Sequence, residues 1–341
     1  MDLNQRIEAF SKLGDKIRFE LRNFNPLSNS EESDMWLLAR RVYQKNPWFT
    51  PESTFKSLTA IAGWLDKEDL TGWTSNYTFV EKEPLRVGVI MAGNIPLVGF
   101  HDFLTVLMSG NSIDIKCSTD DDILLPAVID WLIEIEPRFR ERIRLVTRLE
   151  HPEAVIATGS NNSSRYFEYY FGKYPHIIRK NRNSVAVIDG NETKEELTKL
   201  GADIFSYFGL GCRNVSKIYI PSGYVLDKLF ESLTDYAPLM NHNKYMNNFD
   251  YHSALFLLNN APFLTNNFLI LREHDAMATP VSVVHYEFYS NFGDLSGKLQ
   301  QQATKVQCIV GHNYIPFGKS QEPELMDYAD GVDVMQFLLN I

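Results

Sequence analysis

The chain has 341 residues, of which 44% are hydrophobic and 22% charged, and its formal net charge is −10. This length predicts two domains, or one large α/β domain with an insertion. The acidic balance, without a dense run of Lys or Arg, argues against nucleic acid as a partner.

Cysteine content and hydropathy favour a cytoplasmic protein. Three cysteines are an odd number that gives no disulfide framework, so a reducing compartment fits best. The N-terminal stretch is amphipathic and includes acidic side chains, which is unlike a secretory signal. The longest apolar stretch, residues 95–108, is interrupted by His101 and Asp102, so we expect no membrane span.

The first 70 residues are expected to be helical. Apolar side chains recur with helical spacing over residues 7–21 and 35–42. A stretch rich in Ser and Glu at 29–34 predicts a helix cap, and Pro51 predicts the first turn of a third helix over 51–65. No pattern there indicates chemistry, so helix packing or a partner surface is the expected role.

Strands and helices alternate in the next part of the chain. Residues 85–91 form a nearly continuous apolar run, typical of a strand buried on both faces of a parallel sheet. The same pattern predicts helices over 98–109 and 122–135, and strands over 111–116, 143–146 and 154–157. Ligands of such sheets bind beyond the carboxyl ends of the strands, where this chain has Asn94, Lys116, Gly159 and Ser160.

A second α/β domain is predicted after residue 188. Its expected helices lie over 193–208 and 225–239, and its expected strands over 184–189, 217–220, 254–258, 268–271, 281–286 and 308–310. The chain ends in an apolar, helix-like stretch.

Cys212 is the strongest candidate for a reactive side chain. It follows Gly209 and Gly211 at the end of a predicted helix. Glycines permit a positive φ and bring backbone N–H groups close to the sulfur, as a turn that presents a nucleophilic thiol requires. A buried structural cysteine is the alternative on this stretch alone, and Cys117 and Cys308, both in strand-like segments, fit that alternative.

Other common site motifs do not occur. The sequence contains no GxGxxG, GxxxxGK[ST] or GxSxG, and its histidines do not fall at metal-ligand spacing, so no metal is expected. Lys116 is either a ribose or phosphate ligand or a surface lysine, and Asn94 is either a site residue or an ordinary turn residue.

The order of these segments resembles the aldehyde dehydrogenase superfamily. The matching landmarks span residues 84–318 and are Gly93-Asn94-Ile95-Pro96, Ser109-Gly110-Asn111 with Lys116, Thr158-Gly159-Ser160, Asn183-Ser184, Gly211-Cys212 and Pro316-Phe317-Gly318. Three further segments, 209–216, 241–251 and 323–337, are similar to the LuxC-type acyl-CoA (fatty acyl thioester) reductases of that superfamily.

The resemblance implies an aldehyde-dehydrogenase-like α/β fold. Residues 1–188 would hold N-terminal helices and a Rossmann-like NAD(P)-binding domain, and residues 189–318 a second α/β domain with the nucleophilic cysteine. Residues 319–341 would be a tail that packs on the cofactor domain or on a partner subunit, and a homo-oligomer is a further expectation.

The same resemblance implies an activity. Cys212 would take an acyl group from an acyl-CoA or acyl-protein thioester, and NAD(P)H would reduce the acyl-enzyme to an aldehyde. The side-chain amide of Asn94 and the backbone N–H of Cys212 would hold the oxyanion. Lys116 would bind the adenosine ribose, and Gly159 and Ser160 would lie at the pyrophosphate.

Two departures from the superfamily pattern concern the reaction. Arg179 stands where hydrolytic members carry a general-base Glu, which suits a reductase because a thioester without an activated water is poorly hydrolysed. If this position faces the site, Arg179→Glu raises thioester hydrolysis. Ala276 stands where members carry a second Glu that steadies the nicotinamide ribose.

A third departure concerns the cofactor. Ser118 and Thr119 follow in the segment after Lys116, and Thr119 stands where NAD-preferring members often have Glu. Without that carboxylate a 2′-phosphate is not repelled, which favours NADP(H), although Asp120 is adjacent.

Two alternative functions stay open. One is a catalytically degenerate descendant that binds a nucleotide or a partner protein, which Ala276 favours and the retention of Cys212 and Asn94 opposes. The other is an aldehyde-oxidising dehydrogenase, which Arg179 opposes. Acyl chain length does not follow from the sequence, because core packing explains its aromatic residues as well as an acyl tunnel does.

Overall fold

The computed structural model describes residues 1–22 and 34–341, which divide into two compact units. The first unit comprises Met1–Lys180 and Glu324–Ile341, and the second comprises Asn181–Pro323. This division differs from the boundary predicted after residue 188. The reason is that the strand Asn183–Val187 pairs within the sheet of the second unit.

The N-terminal part of the first unit is helical, as predicted. Its helices are α1 (Leu3–Arg22), α2 (Asp34–Lys45), α3 (Pro51–Trp64) and α4 (Lys67–Thr74). Thr50 caps α3 by accepting the backbone N–H of Ser53 at 3.1 Å, and Pro51 occupies the first helical position. The cap expected at 29–34 lies outside the described residues, except for Asp34.

A five-stranded parallel sheet forms the core of the first unit. Its strands have the order β3-β2-β1-β4-β5, and the element bounds are β1 (Arg86–Ile90), α5 (Phe100–Met108), β2 (Ser112–Lys116), α6 (Leu124–Ile135), β3 (Ile143–Leu145), β4 (Ala154–Thr158), α7 (Asn161–Phe171) and β5 (His176–Arg179). The three central strands, β2, β1 and β4, carry fully buried apolar side chains, as a sheet covered on both faces requires. The predicted fold class is confirmed.

The C-terminal segment belongs to the first unit. Helix α12 (Val334–Asn340) packs on α5 and buries Val334, Met335 and Leu338. Before it, Tyr328 accepts a hydrogen bond from the Trp73 indole at 2.7 Å, and its ring contacts His101 at 5.4 Å between centroids.

The second unit is built on a six-stranded sheet. Its strands have the order β11-β6-β7-β10-β9-β8, and its elements are β6 (Asn183–Val187), α8 (Lys194–Phe205), β7 (Val215–Pro221), α9 (Asp227–Ser232), α10 (Asn243–Leu258), β8 (Leu264–Thr265), β9 (Ile270–Glu273), β10 (Val283–Tyr289), α11 (Phe292–Gln301) and β11 (Val306–Val310). All pairs are parallel except β8 with β9 at one edge.

Several predicted elements were wrong. The strand expected at 254–258 is the end of α10, because a short apolar run cannot be distinguished from a helix by periodicity and His242 begins a helix by accepting the N–H of Tyr245. The helix expected at 225–239 breaks after α9 into a 3₁₀ stretch, Thr234–Asn241, that contains Pro238. Helices α7 and α11 and strand β5 were not predicted. No helix in the described ranges is both long and apolar enough to cross a membrane.

Candidate active site

Cys212 lies in a tight turn between α8 and β7. The capping box of Thr193 and Glu196 begins α8, and the helix ends at Phe205. Tyr207, Phe208 and Gly209 then have φ values of +52°, +59° and +79°. Gly209 therefore has the positive φ that was predicted, but Gly211 does not. The other two positive φ values belong to the aromatic residues Tyr207 and Phe208. This reversal of the chain leaves the Cys212 side chain exposed to solvent.

Asn214 holds this turn together from inside the unit. Its side-chain oxygen accepts the backbone N–H of Gly211 at 2.7 Å. Its Nδ2 donates to the backbone carbonyls of Asp203, Ile204 and Ser206 at 2.8–3.2 Å. Because Asn214 is only 3% exposed, these bonds tie the end of α8 to the residue before the cysteine without competition from water.

Ser184 fixes the backbone of Cys212 itself. Its hydroxyl, at the start of β6, donates to the Cys212 carbonyl at 3.0 Å and accepts the backbone N–H of Cys308 at 3.2 Å. Ser184 is fully buried and Cys308 is buried, so the structural role expected for Cys308 agrees with its place in β11. The hydroxyl therefore orients the peptide group that follows the thiol.

The segment around Gly318 is anchored to the same region by Asp203. The fully buried Asp203 carboxylate on α8 accepts the backbone N–H groups of Gly318 at 2.6 Å and Ser320 at 2.8 Å. The Arg213 guanidinium, next to the cysteine, donates to the Ser320 carbonyl. The Pro316-Phe317-Gly318 motif is therefore bound directly to the elements that position Cys212.

The sequence-predicted cofactor residues meet at one edge of the first sheet. Ile90 at the end of β1 pairs with Lys116 of β2 and with Ala157 of β4. Asn94, Lys116 and Gly159 therefore follow three neighbouring parallel strands at their carboxyl ends. The strand order reverses between β1 and β4, which is the position where open α/β sheets form a ligand crevice.

Gly159 and Ser160 form the beginning of α7. Ser160 caps this helix by accepting the N–H of Ser163 at 3.1 Å. A Cβ on Gly159 would lie 2.8 Å from the Phe167 ring and 2.9 Å from the Ser163 Cβ, so glycine is required for this close approach. The first N–H groups of a helix at the end of a parallel strand suit a phosphate.

The turn that carries Asn94 packs on the segment after Lys116. A Cβ on Gly93 would lie 2.5 Å from Ser118 Oγ, so the two backbone segments can touch only because residue 93 is glycine. Thr119 is exposed beside this contact. The Cys117 thiol is half-buried and burial raises its pKa to about 11, which makes it a poor nucleophile at neutral pH.

Arg179 has a structural partner within the first unit. Its guanidinium donates to both carboxylate oxygens of Asp102 on α5, at 2.6 and 2.9 Å. Their side chains are 7% and 9% exposed. A Glu at residue 179 would bury two carboxylates together, so Arg179→Glu is not a clean test of water activation.

Three polar side chains fix the backbone at Ala276. His274 Nδ1 accepts the Ala276 N–H at 3.0 Å, and Nδ1 of His285 bonds the Ala276 carbonyl at 2.9 Å. The two rings stack 4.7 Å apart between centroids, and burial lowers the pKa of His285. The fully buried Lys217 donates to the Asp275 carbonyl at 2.7 Å. The backbone on both sides of Ala276 is therefore tightly held.

Among the described residues, Asp189, Glu192 and His312 bring metal-ligand atoms close together. Both Glu192 oxygens already accept backbone N–H groups, from Asp189 at 2.6 Å and Gly190 at 3.0 Å. His312 bonds Asp189 at 2.8 Å, and this contact raises the pKa of the imidazole. These hydrogen bonds account for the cluster without a metal.

Comparison with known proteins identifies the fold. No family model matches the chain. The chain is similar to an aldehyde dehydrogenase of Mycobacterium tuberculosis complexed with NAD⁺, with a TM-score of 0.62 and 14% identity over 91% of this chain and 73% of that chain. An NADP-dependent enzyme of E. coli gives a TM-score of 0.66 at 12% identity, over 91% of this chain and 73% of that chain. The chain has the aldehyde dehydrogenase fold.

A curated relative agrees with this fold assignment. The chain is 22% identical over 221 residues to a long-chain acyl-protein thioester reductase of Aliivibrio fischeri. The match covers 59% of this chain and 44% of that protein, so the chain spans less than half of its relative. The resemblance to LuxC-type reductases of the aldehyde dehydrogenase superfamily is thereby confirmed.

Four side chains that the structure places around the candidate residues were not predicted from the sequence. These are Ser184 and Asn214 beside Cys212, Asp203 beneath Gly318, and Asp121 beneath the Asn94 turn. Asn214 lies two residues after the cysteine and Ser184 lies within a family landmark, so sequence proximity could have pointed to both. Asp203 and Asp121 gave no local signal, because their partners are distant in sequence.

Proposed function

We propose that the chain is an NAD(P)H-dependent acyl thioester reductase that forms an aldehyde through an acyl-enzyme on Cys212. The observation that carries this proposal is the exposed Cys212 thiol on a turn whose backbone is fixed by the buried Ser184 and Asn214. Similarity to a long-chain acyl-protein thioester reductase supports the substrate class. The acyl carrier is coenzyme A or a protein thiol.

The chemistry begins at the Cys212 sulfur. As a thiolate it attacks the thioester carbonyl carbon, forming a new S–C bond and an oxyanion. The carbonyl re-forms as the bond to the carrier sulfur breaks, and the carrier thiolate takes a proton from solvent. The backbone N–H of Cys212 would donate to the oxyanion, and the family resemblance gives Asn94 the role of second donor.

The first unit offers a site that fits a nicotinamide dinucleotide. Lys116 would bind the adenosine ribose, Ser118 and Thr119 would border it, and Gly159 and Ser160 would hold the pyrophosphate at the start of α7. Two observations support this fit. Residue 159 must be glycine for its backbone to approach Phe167 so closely, and the strand order reverses between β1 and β4. When bound there, the reduced cofactor would supply the hydride that the acyl carbon needs. Cys212 would leave as a thiolate when the aldehyde forms. Thr119 is exposed and, unlike a Glu at this position, does not repel a 2′-phosphate, which favours NADP(H).

Arg179 supports reduction over hydrolysis. Since its guanidinium occupies both oxygens of Asp102, this position offers no carboxylate to take a proton from water. An acyl-enzyme that is not hydrolysed persists until hydride arrives. The same argument disfavours aldehyde oxidation, which needs hydrolysis of the acyl-enzyme to release its product.

A catalytically degenerate protein that binds a nucleotide or a partner is the second candidate. Ala276 is the specific observation that favours it, because the family's ribose-binding carboxylate is replaced by a methyl group. The retention of Cys212 and Asn94 opposes it.

The decisive experiment combines acyl-CoA with NADPH, and separately with NADH, and follows the loss of cofactor absorbance while trapping aldehyde. We expect cofactor oxidation that requires acyl-CoA and is abolished in Cys212→Ala. Cys117→Ala is the matched control, because this thiol is half-buried and has a raised pKa. Retained acyl labelling of Cys212→Ala would refute its role, and a folded protein that binds nucleotide but never acylates would favour the degenerate candidate.

A further inference from the structure

A buried carboxyl group holds the turn between β1 and α5. Asp121, in the segment between β2 and α6, accepts the backbone N–H of Leu97 with its Oδ2 at 2.7 Å. Leu97 is buried and has a φ of +56°, a left-handed conformation that residues with a Cβ seldom adopt. The hydrogen bond therefore fixes an unfavourable backbone conformation three residues after Asn94.

Two other contacts hold the same turn on either side of Asn94. Gly93 lies against Ser118, with room for no larger residue. Ser57 on α3 donates its hydroxyl to the Pro96 carbonyl at 2.7 Å. Of these three supports, Asp121 is the one that can carry a charge, and it binds the end of the turn that enters α5.

The other oxygen of Asp121 is buried and has no hydrogen-bond partner in the part of the chain that the structure describes. Burial is the main reason that the pKa of Asp121 is raised to about 6; the hydrogen bond from Leu97 opposes this increase and the neighbouring charge of Asp122 adds to it. Titratable groups around Asp121 include Asp120, next to it in the chain, Asp122, which pairs with Lys45 at 3.1 Å, and the Cys117 thiol. A buried carboxyl group with a raised pKa beside a candidate site is typical of a functional position.

We propose that Asp121 is a positioning residue for acyl transfer, and that through Leu97 it holds the turn 91–99 in the shape that presents Asn94 to the oxyanion. This inference rests on the proposed function. It goes beyond it by assigning a role to a side chain that touches neither substrate nor cofactor.

Two substitutions and one control test the proposal. Asp121→Ala removes the acceptor for the Leu97 N–H, whereas Asp121→Asn keeps an acceptor oxygen without the charge. Asp122→Asn removes the same charge from the adjacent exposed residue and is the matched control. Each protein is assayed for acyl-enzyme formation from acyl-CoA and, independently of activity, for amide hydrogen exchange in the peptide that spans residues 91–99.

We expect Asp121→Ala to increase opening of the turn about tenfold and to slow acylation about tenfold at saturating acyl-CoA, because a buried N–H loses its partner. The KM for acyl-CoA should not change. Asp122→Asn should stay close to the wild type in both measurements at neutral pH, and Asp121→Asn should open the turn no more than the wild type does and acylate as fast, so the conservative variant rescues the effect.

The pH dependence of turn opening separates this role from simple packing. The closed turn holds Asp121 with a pKa of about 6, above that of a solvated Asp, so it binds the proton more tightly than the open turn does. The equilibrium constant for opening of the turn, corrected for the pH dependence of intrinsic amide exchange, should therefore increase as the pH rises through about 6. Asp121→Asn should remove this dependence and Asp122→Asn should retain it.

Wild-type exchange and acylation in Asp121→Ala would overturn the proposal. If Asp121→Ala does not fold, Asp121→Asn decides, since a pH dependence that survives in it overturns the proposal as well. If the wild type never acylates but Asp121→Ala opens the turn, the proposed function has failed and Asp121 holds the turn for another reason.

Discussion

Replacing Arg179 with alanine should strongly destabilise the first unit. The substitution leaves the Asp102 carboxylate, only 9% exposed, without the guanidinium that binds both of its oxygens. Breaking a buried ion pair of this kind costs about 3–5 kcal/mol. The double variant Asp102→Leu with Arg179→Met should recover most of that loss, because two apolar side chains of similar volume need no partner.

Urea unfolding monitored by tryptophan fluorescence measures this effect selectively, because all five tryptophans lie in the first unit. Lys67→Ala is the control. It removes an ion pair with Glu8 of similar length, 2.9 Å, whose side chains are 64% and 46% exposed, and it should change the free energy of unfolding far less. An Arg179→Ala variant no less stable than Lys67→Ala would refute the reasoning. Arg179→Glu should destabilise the protein rather than raise thioester hydrolysis.

Two further predictions concern the turn and the cofactor. Asn214→Asp places a carboxylate oxygen against three backbone carbonyls, so we expect the free energy of unfolding, measured by calorimetry, to fall by about 1–3 kcal/mol and acylation to slow. The control is Asn247→Asp, because Asn247 is exposed. Equal effects of the two substitutions would count against the role of Asn214. Thr119→Glu should lower the ratio of kcat/KM for NADPH to that for NADH at least about tenfold, by repulsion of the 2′-phosphate. An unchanged ratio would show that Thr119 does not face the ribose.

The Asn94 turn shows how far sequence reasoning reached at the site. Because the carboxyl ends of parallel strands share one edge, the alternation of elements was enough to place Asn94, Lys116 and Gly159 together, and the structure places them so. The same reasoning gave no sign of Asp121. An aspartate after a strand is an ordinary loop residue until the fold buries it against Leu97.

The sequence by itself determined the elements with strong local patterns and the position of the nucleophile candidate. The apolar run at 85–91 favours a buried strand and the two glycines before Cys212 favour a turn, because period and backbone freedom are local properties. Only the tertiary structure decided which polar groups meet. Arg179 pairs with Asp102 across 77 residues, and Ser184 bonds Cys308 across 124. It also decided that residues 254–258 form a helix, since an apolar run by itself suits either element and these residues continue α10 instead of pairing in the sheet. Buried polar groups must find partners wherever packing brings them, and that is a property of the folded chain rather than of its local pattern.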